Sequence, residues 1–142
     1  MGAKQNEALV HRLIADVFNE HNLRGLETLL APDLVSSWQG SPPLHGIAAW
    51  REGMEGFFAA FPDAVYTLEN LFCTEDRGAW RGHWRATQRG VWQGIAASGR
   101  RVTWGVIITG RFADGKLAED WVAYDRLGLF QQLGALPLPA QG

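Results

Sequence analysis

The spacing of apolar positions changes once along the chain. In the first sixty residues it is helical. Leu9, Leu13, Val17 and Phe18, with Val10 and Ile14 beside them, make one apolar stripe and predict an amphipathic helix over 6–21. A second short helix is expected over 24–30, carrying Leu26, Leu29 and Leu30. Pro32 should end it, because proline lacks the N–H that a helix needs. Leu34 to Trp38 reads as a short strand, and Gly40-Ser41-Pro42-Pro43 as a loop. A third helix is predicted over 47–61, with Trp50, Met54, Phe57, Phe58 and Phe61 on its apolar side. Gly53 and Gly56 each weaken it by about 1 kcal/mol relative to alanine, and let a neighbour pack close.

From residue 66 onward the period is two. One strand is expected over 66–73 and a clearer one over 80–89. Trp80, Gly82, Trp84, Ala86 and Gln88 share one face of the second, and Arg81, His83, Arg85, Thr87 and Arg89 the other. After a turn at Ser98-Gly99, the strand over 101–112 puts Val102, Trp104, Val106, Ile108 and Phe112 on one face. Asp114-Gly115 is a hairpin signal. The last strand covers 116–124, a short helix over 127–133 closes the domain, and the tail beyond it is expected to fray. Helices followed by antiparallel hairpins make an α+β layout, a curved meander sheet over N-terminal helices. Such a cone has an apolar interior. One domain is expected over 1–142, with its core over about 6–134.

Composition narrows the function classes. Lys and Arg together number 13 against 15 Asp and Glu, for a net charge of -2, so the basic face that nucleic acid requires is not expected. The single cysteine, Cys73, excludes an intrachain disulfide and a multi-cysteine metal site. No run approaches the roughly 18 apolar residues of a membrane span, and the N-terminus has no apolar signal core. A cytoplasmic protein without membrane contact is therefore expected. Seven Trp and seven Phe stand out. Aromatics at that density fill a core or line a pocket for a flat apolar ligand. The four histidines, His11, His21, His45 and His83, make no metal-binding cluster.

Five segments, in order, carry a resemblance. They are NEALVHRLIADVFNEHNLRGLETLLAPDLV, HGIAAWREGMEGFFAAFPD, GVWQGIAASGRRVTW, RFADGKLAEDW and DRLGLFQQLG. Together they resemble the SnoaL-like polyketide cyclase (ester cyclase) family of the NTF2-like superfamily, over about residues 6–134. The resemblance implies an NTF2-like cone, a pocket on the concave side of the sheet, and self-association through the convex side. It implies ring closure by intramolecular aldol condensation, without metal or cofactor. In that pattern an acid directly follows the Trp of an E-x-W motif, and a His faces it from the preceding strand. Here Glu119-Asp120-Trp121 keeps the motif, but Val122 stands at the acid position and Ile108 at the His position.

Proton removal beside a carbonyl requires a base raised in pKa by burial, and a donor for the enolate oxygen. Strand parity puts Asp120 on the same side as Val122 and Tyr124, as the one inward carboxylate of the last strand. Asp120 is therefore the candidate base or anchor, and the alternative is a rim carboxylate paired with an arginine. Tyr124 is a candidate to polarise a carbonyl, and Gln88 to offer its amide at the pocket mouth. Trp38, Trp84 and Trp104, with Ile108 and Val122, are expected to line the pocket. Trp50 reads as core, Trp92 as rim or interface, and His45 as a residue near the rim.

Three functions follow. One is a cofactor-free cyclase or isomerase acting on a small apolar aromatic ligand with a carbonyl. Another is a non-cyclising relative of hydroxylase or isomerase type. The third is a ligand-binding protein without catalysis. The convex face, carrying Ile107 and Trp121 among charged residues, predicts a homodimer in which Glu119 meets arginines of the second copy.

Overall fold

The computed structural model describes residues 2–136. Helix α1, Ala3–Arg12, continues without a break into a π-helical stretch, Leu13–Asn19. The wider turn shows in the bond from the Glu20 N–H to the Ala15 carbonyl, 3.1 Å. The helix expected over 6–21 is thus one rod in two geometries. Leu9, Val10, Leu13, Ile14, Val17 and Phe18 are its buried stripe.

The second expected helix is reduced to a single 3₁₀ turn, Leu26–Thr28. Strand β1, Leu30–Trp38, begins where that helix should have ended. Pro32 therefore lies inside a strand, not after a helix. The pairing of β1 with its neighbour slips between Leu30 and Val35, and Pro32 occupies that irregular stretch, where no ladder N–H is required. Leu30 and Leu34 are fully buried on either side of it.

A two-residue strand β2, Leu44–His45, precedes helix α2, Gly46–Ala60. Strands β3, Val65–Cys73, β4, Arg77–Thr87, β5, Arg101–Ala113, and β6, Lys116–Tyr124, follow, and helix α3, Arg126–Gln132, comes last among the described elements. The sheet order is β2-β1-β6-β5-β4-β3. From β6 to β3 it is the expected meander. The return of β1 to lie parallel beside β6 was not visible in the periodicity, because pairing between distant segments leaves no local pattern. The sheet is curved and unclosed, with the helices on its concave side.

Burial follows the two-residue period. In β5 every second residue from Val102 to Phe112 is buried, and those between are exposed or nearly so. The inner face is crowded with rings, so small residues must make room. A side-chain carbon on Gly82 would stand 2.7 Å from the Tyr66 ring and collide with the neighbouring strand. At the free edge of β3, the Asn19 side chain exchanges two hydrogen bonds with the backbone of Tyr66, at 2.7 and 3.1 Å. Those bonds pin the end of the π-helical stretch to the sheet. No helix among the described residues is long and apolar enough to cross a membrane. The residues from 137 onward, including most of the expected frayed tail, lie outside the described part.

Candidate functional site

Inside the cone, α2 and the Leu13–Asn19 stretch face β4, β5 and β6 across a cluster of aromatic rings. Phe57 is its centre. Its ring centroid lies 4.9 Å from that of Trp84, 5.4 Å from Trp92 and 6.1 Å from Trp104. Beside these rings a narrow cavity of about 30 Å³ remains. Its wall includes Trp38, Trp50, Trp84, Trp104, Ile108, Asp120, Val122 and Tyr124.

Ile108 and Val122 are direct cross-strand partners, and both face the cavity. Their positions match where the resemblance puts the histidine and the acid, and aliphatic side chains occupy them. One step along the same face of β6 is Asp120, 5% exposed. Its Oδ1 accepts a hydrogen bond from the Ser36 hydroxyl at 2.5 Å. The Ser36 oxygen in turn accepts from the indole N–H of Trp38 at 2.8 Å. Ser36 is opposite Asp120 in the parallel β1–β6 pair and is itself fully buried. The polar part of the site is thus a short chain of donors, indole to hydroxyl to carboxylate, each bond polarising the next.

No cation pairs with Asp120 among the described residues, so the rim ion pair with an arginine is not what forms. Burial is the dominant effect on its acidity and pushes the carboxyl up to about 6. The Ser36 hydrogen bond pulls in the opposite direction, and the negative charge of Glu119 adds a smaller upward push.

The other expected residues are distributed differently. Tyr124 lines the cavity half-buried, and its hydroxyl accepts a bond from Gln93 Nε2 at 3.4 Å. Gln88 corrects the expectation: it is not a pocket-mouth group. Strand β4 stops at Thr87, and the Gln88 side chain is fully buried beneath the loop that follows. Its Nε2 donates to the carbonyls of Gly90 and Ile95, and its Oε1 accepts from the Ser98 N–H. Trp92 was expected at a rim and in fact forms part of the cavity wall, packed on Phe57 and Phe61. Trp50, expected in the core, also reaches the wall. His45 is exposed and does not line the cavity. Ser36 was missed altogether. A serine two residues before a tryptophan is no signal by itself, and the parallel pairing that brings it to Asp120 is a tertiary fact.

The family model for SnoaL-like polyketide cyclase matches residues 8–133. The chain belongs to the SnoaL-like polyketide cyclase family. Among solved structures, a protein from Jannaschia sp. CCS1 provisionally named a SnoaL-like polyketide cyclase superposes with a TM-score of 0.88 at 21% identity, over 95% of each chain, and shows the fold. AclR from Streptomyces galilaeus, provisionally named a hydroxylase, is 30% identical over 98% of this chain and 87% of its own, with a TM-score of 0.85. TsrD from Streptomyces laurentii is also 30% identical, over 96% of this chain and 99% of its own, with a TM-score of 0.85. Among curated proteins none matches the sequence significantly. This SnoaL-like protein therefore shares the NTF2-like cone, and the family model spans it from 8 to 133.

Proposed function

We propose that this SnoaL-like protein is an enzyme that removes a proton next to a carbonyl of a flat, apolar, aromatic substrate, with Asp120 as the base and no cofactor in the step. The observation that carries the reading is the environment of Asp120: a carboxylate in an aromatic cavity, held by the Ser36 hydroxyl and without a cation among the described residues. A carboxylate isolated in that way is costly to keep charged. The same cost makes it a stronger base than an ordinary aspartate, suited to work near neutral pH. Ser36 fixes the orientation of the carboxylate. Tyr124, on the same face of β6, is the proposed donor to the developing enolate oxygen. Trp38, Trp84 and Trp104, with Ile108 and Val122, are the proposed walls against which the ring system stacks. The enolate then reprotonates at another carbon, giving isomerisation, or attacks a second carbonyl of the same molecule, giving an aldol ring closure.

The absence of the acid and histidine at 122 and 108 separates this chain from the cyclase pattern, and its likeness to AclR favours a second reading, hydroxylation of the same kind of substrate by dioxygen with an external two-electron donor, the second oxygen leaving as water. Mass decides between them. Isomerisation or aldol closure leaves the mass unchanged or removes water, whereas hydroxylation adds one oxygen. The test is incubation of wild type and Asp120→Asn in deuterium oxide with a panel of aromatic monoketones bearing α-hydrogens, whose uncatalysed exchange at neutral pH is slow. Base catalysis predicts deuterium incorporation at the acidic carbon by wild type and its loss in the variant. Equal exchange by the two proteins would remove Asp120 from the mechanism.

A further inference from the structure

A groove of about 200 Å³ lies on the outside of the molecule beside the cavity. Trp38, Ser41, Pro42, Leu44, Gly53, Trp92 and Gln93 line it. Two of these, Trp38 and Trp92, are also wall residues of the cavity. Two indoles therefore separate an inner chamber from an outer one. The inner chamber, at about 30 Å³, has room for a couple of water molecules and for no ring system. Pockets for small molecules are generally on the order of 300–1,000 Å³. A ligand that reaches Asp120 must displace part of the wall.

The loop over 88–99 is fixed differently at its base and at its tip. Its base is held by three bonds of the buried Gln88 side chain, at 3.0–3.1 Å. The backbone N–H groups of Arg89 and Gly90 both reach the Ala60 carbonyl, at 2.7 and 3.2 Å. Gly90 permits that approach, since a side-chain carbon there would stand 2.9 Å from the Ala59 carbonyl. Trp92 and Ile95 then close a tight turn on each other around Gln93 and Gly94, both in the left-handed region. The tip is held by the packing of Trp92 on Phe57 and Phe61 and, at Gln93, by polar contacts at the surface. Exposed Gln93 meets the Tyr124 hydroxyl at 3.4 Å and the Arg126 guanidinium at 3.2 and 3.4 Å. The buried indole N–H of Trp92 has no acceptor among the described residues, so no hydrogen bond from it adds to the ring packing in the closed position.

We propose that the outer groove and the inner cavity are two halves of one binding site, joined when the 88–99 loop pivots at its base and carries Trp92 out of the shared wall. The occupant is one elongated ligand, with a flat ring beside Asp120 and an uncharged remainder in the groove. Among the described residues that line the groove none is charged, and the Ser41 hydroxyl and Gln93 amide suit ether, ester or ketone oxygens. Gly53 and Leu44 form the floor. A side-chain carbon on Gly53 would stand 3.2 Å from Leu44 Cδ1, so a larger residue there would crowd Leu44 and narrow the groove that both line. Release of Gln93 also frees the Tyr124 hydroxyl for the ligand. The inference rests on the aromatic cavity being the ligand site, and its test is independent of whether Asp120 is the base.

That test measures access to the cavity by thiol labelling. In a Cys73→Ser background, Val122→Cys, or Ile108→Cys as a second position, puts one thiol in the cavity wall, and N-ethylmaleimide is the probe. Gln93→Ala should speed labelling about tenfold or more, because it removes the latch. Gly53→Leu, or Gly53→Trp as a larger plug, should slow it by a similar factor. Helix propensity favours the leucine, and cooperative melting confirms that each variant is folded. Labelling that ignores Gly53→Leu and Gly53→Trp would show that the cavity opens elsewhere and overturn the proposal. Binding then tests the occupant, by tryptophan quenching with 1-tetralone and 6-butoxy-1-tetralone. The extended ketone should bind wild type more tightly, and Gly53→Leu should abolish that advantage. An advantage that survives the substitution would also overturn it.

Discussion

Among the described residues Ser36 is the side chain that hydrogen-bonds Asp120, no cation pairs with it, and it is only 5% exposed. Its carboxyl titrates higher in the folded protein, at about 6, than the ordinary aspartate of the unfolded chain, near 3.9. The folded state therefore holds the proton more tightly between those two values. Asp120 contributes nothing unfavourable below about pH 4, destabilises progressively as the pH rises to about 6, and keeps a constant penalty above that, on the order of 3 kcal/mol. Asp120→Asn removes the charge and nearly keeps the shape. Its stability relative to wild type should grow as the pH rises from 4 to 6 and then level off, which thermal melts across that range will check. Base catalysis has the opposite trend, rising through about pH 6 as the carboxylate forms. Ser36→Ala deletes the one bond that favours the charged form, and leaves the Trp38 indole without its acceptor. That variant should lose about 1–3 kcal/mol of stability, and its activity profile should shift to higher pH than that of wild type. An unshifted profile would show that Ser36 does not tune the base. For Asp120 the sequence was informative and strand parity sufficed. Its partner was not legible, because Ser36 lies 84 positions away.

At the scale of elements, the loop between β4 and β5 is where reading the alternation went too far. The alternation of β4 extends one residue beyond its ladder, so Gln88 looked like the end of an inward row. Its amide instead holds the loop by three bonds. Gln88→Leu keeps the volume and removes those bonds, leaving the Ser98 N–H and two carbonyls without them. The expected cost is about 2–3 kcal/mol, with faster hydrogen exchange at Ser98 and proteolysis within 89–98. A fold-wide loss of exchange protection instead would mean that Gln88 supports the sheet and not the loop. The start of β1 shows the complementary error. Leu26, Leu29 and Leu30 have helical spacing, yet only one turn forms. Leu30 is paired with Leu117 in the sheet, and the Leu117 N–H reaches the Leu29 carbonyl at 2.9 Å. Burial against β6 overrides a short local preference.

For the whole molecule, the outer face of the sheet sets the question of assembly. Phe72, Ile107 and Trp121 are 66%, 53% and 42% exposed there. Ala79 and Thr109 link Phe72 to Trp121 across adjacent strands. Two ion pairs beside them form within the chain, Arg111 with Glu119 at 3.2 Å and Arg81 with Glu69 at 3.6 Å. Glu119 thus has an arginine of its own, beside any it would meet in a second copy. Burying an apolar row with a charge-paired border is the expected use of this face, and we propose a two-fold dimer through it. Sedimentation should give twice the chain mass at micromolar concentration. Trp121→Arg, which would bury two charges at the contact, should sediment as a folded monomer. A wild type that is monomeric at high concentration would rule the dimer out.

The helical stripe, the strands from 66 to 124, the inward row of tryptophans and the side on which Asp120 lies were determined by the sequence alone. All of them depend on local periodicity, and side-chain direction follows from it whenever one face is buried. The family, too, was legible, through five short segments in order. Tertiary structure decided the rest: the parallel return of β1, the relay from Trp38 through Ser36 to Asp120, the burial of Gln88 under its loop, and the wall that Trp38 and Trp92 share between cavity and groove. Each joins residues that do not neighbour one another along one element, and period and propensity describe only one element at a time. What raises the Asp120 carboxyl is the low-dielectric interior made by the elements packed around it, and that interior exists only once the sheet has closed over the helices.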